Sequence, residues 1–145
     1  MPMHRVDLGE VPYQETLTLI RDRGPADIVR WLENALIAGL SDLGFETLRR
    51  DTPRGENSLV GIWTPQHAKL VSIGMRIRGG ITSHGFALNI DPDLTVYDRF
   101  TACRLDGVEM TSLRRLAEAS GRELPPEPII RDALAIHLGA VPVRA

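Results

Sequence analysis

Three side chains in this sequence combine a reactive type with a suggestive position: Cys103, Lys69 and His84. Cys103 lies in Thr101-Ala102-Cys103-Arg104, after a predicted strand and before a predicted helix. Loops between rigid elements often carry reactive groups. A thiolate is a strong nucleophile toward thioesters, and a nearby cation such as Arg99 or Arg104 lowers a thiol's pKa. Taken alone, a single cysteine is more often a small buried hydrophobe. Lys69 stands just before an apolar alternating run. Desolvation at the sheet edge would lower its pKa into a range useful for proton transfer, and the bland alternative is a solvated strand cap. His84, in Thr82-Ser83-His84-Gly85, sets either an imidazole or a backbone N–H beside a ligand, or hydrogen-bonds within a turn.

Other chemistries find no support. His4, His67 and His137 have no metal-ligand spacing with one another or with Cys103, so no metal site is expected. There is no phosphate-cradling Gly-x-x-x-x-Gly-Lys-Ser/Thr pattern. The formal net charge of −2 and the scattered arginines argue against nucleic acid as a partner. One cysteine forms no internal disulfide. Neither a signal core nor a membrane-length apolar run is present, and a cytoplasmic protein is expected.

These groups need elements to position them, and 145 residues suffice for one domain with one core. Val6 to Leu8 is a predicted strand. Pro12 opens a helix carrying Tyr13, Leu17 and Ile20 that stops at Gly24-Pro25. Ala26 to Leu43 is a second helix, with Ile28, Trp31, Leu32, Ala35, Leu36 and Leu40 on its apolar stripe and Gly44 as its stop. Arg49 to Asn57 is a loop, and Leu59 to Trp63 a short apolar run. Val71, Ile73, Met75 and Ile77 alternate with polar or small residues, as do Phe86, Leu88 and Ile90. Two strands joined at Gly79-Gly80 as a hairpin follow. Thr111 or Ser112 caps a helix that ends at Gly121, and a last helix runs from Ile129 to Leu138. The class is α/β or α+β, a layer of sheet with helices packed on it.

The order of segments resembles the lipoyl(octanoyl) transferase family. Four stretches carry the resemblance. They are Val6-Asp7-Leu8-Gly9-Glu10-Val11-Pro12-Tyr13, the lysine-bearing Ala68-Lys69-Leu70-Val71-Ser72-Ile73-Gly74-Met75-Arg76-Ile77, the Thr82-Ser83-His84-Gly85-Phe86-Ala87-Leu88-Asn89 strand, and Cys103 itself. The resemblance implies a biotin/lipoyl protein ligase-like mixed sheet with packed helices. It implies catalytic Cys103 and Lys69, with Thr82, Ser83, His84, Gly85, Gly74, Ala87 and Asn89 as substrate-binding residues. It also implies a reaction with no cofactor. Octanoyl-acyl carrier protein donates to the Cys103 thiolate, and the acyl group then passes to a lysine on lipoyl domains of 2-oxoacid dehydrogenases and on the glycine cleavage H protein.

The match departs from the family in three places. Ala102-Cys103-Arg104 stands where the family has Pro-Cys-Gly. Gly79-Gly80 replaces a turn that is often bulkier. Arg23-Gly24-Pro25 joins the first two helices directly, where the family carries a long segment with an Arg-Gly-Gly-x-x-Thr-Tyr-His-Gly-Pro-Gly-Gln motif lining the acyl pocket. The fold is therefore expected to be incomplete near residues 24–25, and its open edge to favour self-association. The alternative function is a degenerate remnant or binding protein that keeps the fold without transferring.

Overall fold

The computed structural model describes residues 3–4, 25–78, 81–94, 108–138 and 140–141, of which 3–4, 25, 77–78, 81–84 and 140–141 are described by their backbone alone. The expected strand Val6 to Leu8, the helix from Pro12, the Gly79-Gly80 turn and Cys103 lie outside the described residues.

The first long element is helix α1, Pro25–Asp42. Proline suits its first turn, where the missing N–H had no partner to lose. Ile28, Leu32, Ala35, Leu36 and Leu40 are buried along one stripe, as the helical spacing predicts. The helix stops at Gly44, whose φ of 86° is a left-handed conformation that glycine adopts without strain. Phe45 N–H then reaches back to the Leu40 carbonyl and closes the last turn. Arg122 locks this end from outside. Its guanidinium donates to the Gly44 carbonyl at 2.8 Å and lies 4.8 Å from the Phe45 ring centroid.

The sheet follows. Strand β2 is Gly61–Trp63, β3 is Ala68–Arg78, β4 is Ile81–Leu88 and β5 is Glu109–Met110, while the two-residue β1, Met3–His4, pairs parallel with β6, Ala140–Val141, as a separate ribbon. β3 is the axis of the main sheet. It pairs antiparallel with β2 on one side and with β4 on the other. Beyond β4, the other side of β3 is taken by β5, in parallel at Ala68↔Glu109 and Lys69↔Met110. The β3–β4 register runs from Val71↔Leu88 to Arg78↔Ile81, which is the hairpin that the two alternating runs predict. The sheet is mixed, with helices packed on it, as expected for the fold class.

Two further helices complete the core. Helix α2, Leu113–Ala119, is capped by Ser112, whose side chain accepts from Arg115 N–H at 3.2 Å. Of the two candidate caps, Ser112 is the one used. Helix α3, Glu127–His137, starts two residues earlier than its spacing suggests and buries Ile130 and Leu134. It crosses α1 closely at Gly39. A Cβ there would lie 2.8 Å from Leu134 Cδ2, so glycine is what permits the approach. His137 Nε2 and Asp42 Oδ2, 2.5 Å apart, join the C-terminal ends of the two helices. Ile62, Leu70 and Val71 from the sheet meet Leu32, Leu36, Leu40, Leu113, Ala117, Ile130 and Leu134 in one cluster.

This packing separates two aliphatic side chains sharply. Leu36 is fully buried and Ile136 is 62% exposed. In urea unfolding, Leu36→Ala should cost about 2–5 kcal/mol, whereas Ile136→Ala should stay within about 0.5 kcal/mol of the parent. Equal costs would contradict the placement of α1 over the sheet.

Candidate functional site

The candidate site is built around an irregularity in β3. Ile62 faces Val71 and Trp63 faces Lys69, so one step along β2 corresponds to two along β3. Leu70 is the extra residue of a β-bulge. A bulge interrupts the strict alternation of sides, and here it sends Lys69 and Val71 to opposite faces of the sheet. Val71, Ile73 and Leu88 turn to the helices and the core. Lys69 turns to the other face, beside Trp63 and Gly61, with its Nζ 5.5 Å from the centroid of the Trp63 ring.

The Lys69 stem also explains Gly61. Its φ is 146°, and an added Cβ would lie 2.5 Å from the Val71 carbonyl oxygen and 2.9 Å from Lys69 Cε. The space that a side chain would take is filled by the lysine. Lys69 is not at the sheet edge, where the sequence suggested it. Its strand is flanked by Trp63 on one side and Met110 on the other, and its own carbonyl accepts from Thr111 N–H at 2.9 Å. Burial among these neighbours lowers the pKa of its ammonium from the usual 10.5, because a low-dielectric setting disfavours the charged form.

Beyond Lys69 the same face becomes bare. Gly74 faces Gly85 across the β3–β4 ladder, and Ser72 faces Ala87. Nothing comes within 4 Å of where a Cβ would stand on either glycine. With Met75, Arg76 and Phe86 these residues line an open trough of about 830 Å³. Phe86 pairs with Ile73, so its side chain belongs to the opposite face of the sheet, where it is 36% exposed. Gly61 pairs with Ser72, so the lysine stem lies at the end of the trough. On this face the small Ser72, Gly74, Gly85 and Ala87 leave room for a narrow chain, with the exposed Arg76 beside them.

The expected site residues thus divide. Gly74, Gly85 and Ala87 come together in the trough, with Lys69 beyond its end. Thr82, Ser83 and His84 occupy β4, opposite Ile77, Arg76 and Met75 respectively. Asn89 is buried away from the trough lining. Its side-chain amide donates to the Thr111 carbonyl at 3.1 Å, and its backbone bonds the Leu70 carbonyl and Leu113 N–H. That makes Asn89 the tie between β3, β4 and the start of α2. Cys103, and with it the expected approach of Cys103 to Lys69, lies outside the described residues.

Three contributors escaped the sequence reading. Glu33 breaks the apolar stripe of α1, is 6% exposed, and accepts from Gly61 N–H at 3.3 Å. Trp63 is fully buried and donates its indole N–H to the Leu59 carbonyl at 2.8 Å. Arg50 lies 4.7 Å from the same ring centroid. A charged residue inside a buried helical phase was the available signal for Glu33. The other two carry none, because an apolar run and a loop arginine are ordinary features.

The sequence matches the family described as the lipoyl protein ligase A/B catalytic domain over residues 6–135. It is 41% identical over 113 residues to an octanoyltransferase of Frankia casuarinae, covering 77% of this chain and 51% of that protein. It is 38% identical over 127 residues to an octanoyltransferase of Leifsonia xyli, covering 83% and 55%. A mitochondrial octanoyltransferase of Arabidopsis thaliana is 36% identical over 111 residues, covering 77% and 43%. The chain spans about half the length of the curated relatives it matches. No helix among the described residues is long and apolar enough to cross a membrane.

Glu33 has a measurable pH signature. Burial raises its pKa above 4.5, opposed by the Gly61 N–H and then by Arg49 and Arg30. The folded state therefore keeps this proton at pH values where the unfolded chain has released it. The stability so gained is present below pH 4.5 and is lost as pH rises through the raised value. Glu33→Gln keeps an acceptor for Gly61 and does not titrate. Urea unfolding across this range should show the Gln variant gaining on the parent as pH rises. A constant difference between the two would rule out the buried, proton-retaining carboxyl.

Proposed function

The chain belongs to the lipoyl protein ligase A/B catalytic domain family, and we propose that it is an octanoyltransferase. In this reading the Cys103 thiolate attacks the carbonyl of an octanoyl-acyl carrier protein thioester. The carrier's thiol leaves, and the octanoyl group rests on Cys103 as a new thioester. A lysine amine on a lipoyl domain, of a 2-oxoacid dehydrogenase or of the glycine cleavage H protein, then takes the acyl group as an amide. Lys69 returns a proton to the departing carrier thiol in the first half and accepts one from the attacking amine in the second. The donor thioester is already activated, so the reaction calls for neither nucleotide nor metal.

One observation carries the reading: a desolvated lysine beyond the end of an open trough floored by two facing glycines. The lowered pKa brings proton exchange closer to neutrality, as general acid/base work requires. The trough can hold the acyl chain and fix its carbonyl end, and positioning of this kind supplies much of an enzyme's advantage. Topology supports a meeting with Cys103, which stands six residues before β5, and β5 pairs with β3 at Lys69 itself.

A second reading is a remnant that keeps the fold without transferring. The observation favouring it is internal: Arg23-Gly24-Pro25 stands where the family resemblance leads one to expect a long segment with the acyl-pocket motif. The direct junction at Arg23-Gly24-Pro25 then marks an absent pocket wall.

Incubation with octanoyl-acyl carrier protein separates the two readings. A transferase should gain one octanoyl group that neutral hydroxylamine removes, as it removes a thioester. It should then deliver that group to a lipoyl domain. Cys103→Ala should abolish the labile label, and Lys69→Gln should slow transfer by about 10²–10⁴-fold, the usual range for a lost acid/base group. Labile labelling that survives in Cys103→Ala would refute the nucleophile. A parent chain that neither charges nor transfers would leave the remnant reading standing.

A further inference from the structure

We propose that Lys69 is also an acyl acceptor, and that medium-chain thioesters modify it to a stable amide that shuts the site down. The acylation goes beyond octanoyl transfer and does not require it, while its effect as a brake rests on the transferase reading. The step is balanced. The Lys69 nitrogen attacks the thioester carbonyl, a C–N bond forms, the C–S bond breaks, and the thiol leaves with the proton the nitrogen gives up. The co-reactant is the acyl thioester alone.

Three observations lead here. Lys69 is the single lysine of the chain, and the other sixteen of its 17 basic Lys and Arg residues are arginines, which stay protonated and do not acylate. Any side-chain amide formed on this protein must therefore form at Lys69. Secondly, the lysine shares a face with the trough. Its stem lies against Gly61, and Gly61 pairs with Ser72 at the end of the trough. From Ser72 to Arg76 the trough follows β3 for about 13 Å at the usual strand rise, enough for a medium-length acyl chain. Thirdly, the lysine is only partly covered, and burial favours its neutral form, which is the nucleophilic one.

The product differs in kind from a cysteine thioester. An amide is not turned over by a second amine, so acylation of Lys69 is a dead end. It removes the titratable nitrogen and leaves the acyl chain in the trough. The protein would then carry a brake driven by its own substrate class, slow when acyl donors are scarce and cumulative when they are abundant.

The test uses the full chain with octanoyl-coenzyme A at mildly alkaline pH, followed by neutral hydroxylamine, intact mass and peptide mapping. One hydroxylamine-resistant octanoyl group should appear on Lys69, at least about tenfold faster than on free Nα-acetyl-lysine, a small part of what positioning supplies. Lys69→Arg should abolish it and Cys103→Ala should keep it. Acetyl-coenzyme A, which cannot use the trough, should react more slowly by a similar factor. Gly74→Val has room for its side chain and fills the trough, so it should slow octanoyl labelling and spare acetyl labelling. Resistant label confined to the N-terminal amine, or equal rates with both donors, would overturn the proposal. The labile label on Cys103 is scored separately, so the transfer reading and this one fail independently.

Discussion

Everything in the main sheet depends on the hydrogen bonding of one strand on both of its sides. β3 gives one edge to β2 and divides the other between β4 and β5, so its backbone groups find partners without water. The bulge at Leu70 is the concession that lets all three partners fit. It also decides what the strand presents. Leu70 and Val71 are both fully buried, although an unbroken strand would have sent adjacent side chains to opposite faces. Lys69 is released from the core and set against Trp63. The lysine-bearing side of the sheet and its hydrophobic side are consequences of the same extra residue.

Around that point the protein keeps two ionisable groups in settings that disfavour their charges. Glu33 is pressed beneath the start of β2, with Gly61 N–H as a partner, and Lys69 runs over the other side of the same glycine. Neither gains stability from being charged where it is. Groups of this sort are kept at functional sites at some expense to the fold. Gly61 is the hinge of the arrangement, since it offers an N–H to one group and an empty side-chain position to the other.

Much of this was legible in the residues. Alternation through Val71, Ile73, Met75 and Ile77, answered by Phe86 and Leu88, yields the hairpin and its register. The apolar stripe of α1 and its glycine stop were equally plain, as was a cap at Thr111 or Ser112. The bulge was not. Read straight back from Val71, the alternation would put Lys69 on the apolar face. Only pairing with β2 shows otherwise, and that information lies in a three-residue strand. β5 is shorter still, so the sequence left Lys69 at an edge that β5 in fact closes. Asn89 carried an expectation of ligand contact, yet its polarity is absorbed by Thr111 and the backbone. A buried Asn beside a strand end and one facing a pocket look the same in sequence. The trough glycines were found through family resemblance, and their shared face follows from register alone.

The bulge has an evolutionary corollary in the arithmetic of insertions and deletions. Between Lys69 and the hairpin, facing is a matter of odd and even. Losing one residue together with the bulge would restore a regular ladder and still leave Lys69 and Gly74 on one face, because their spacing would turn from odd to even. Losing or gaining one while the bulge stays would carry the lysine to the face opposite Gly74. A change of length in this stretch is therefore tolerated only when the bulge comes or goes with it.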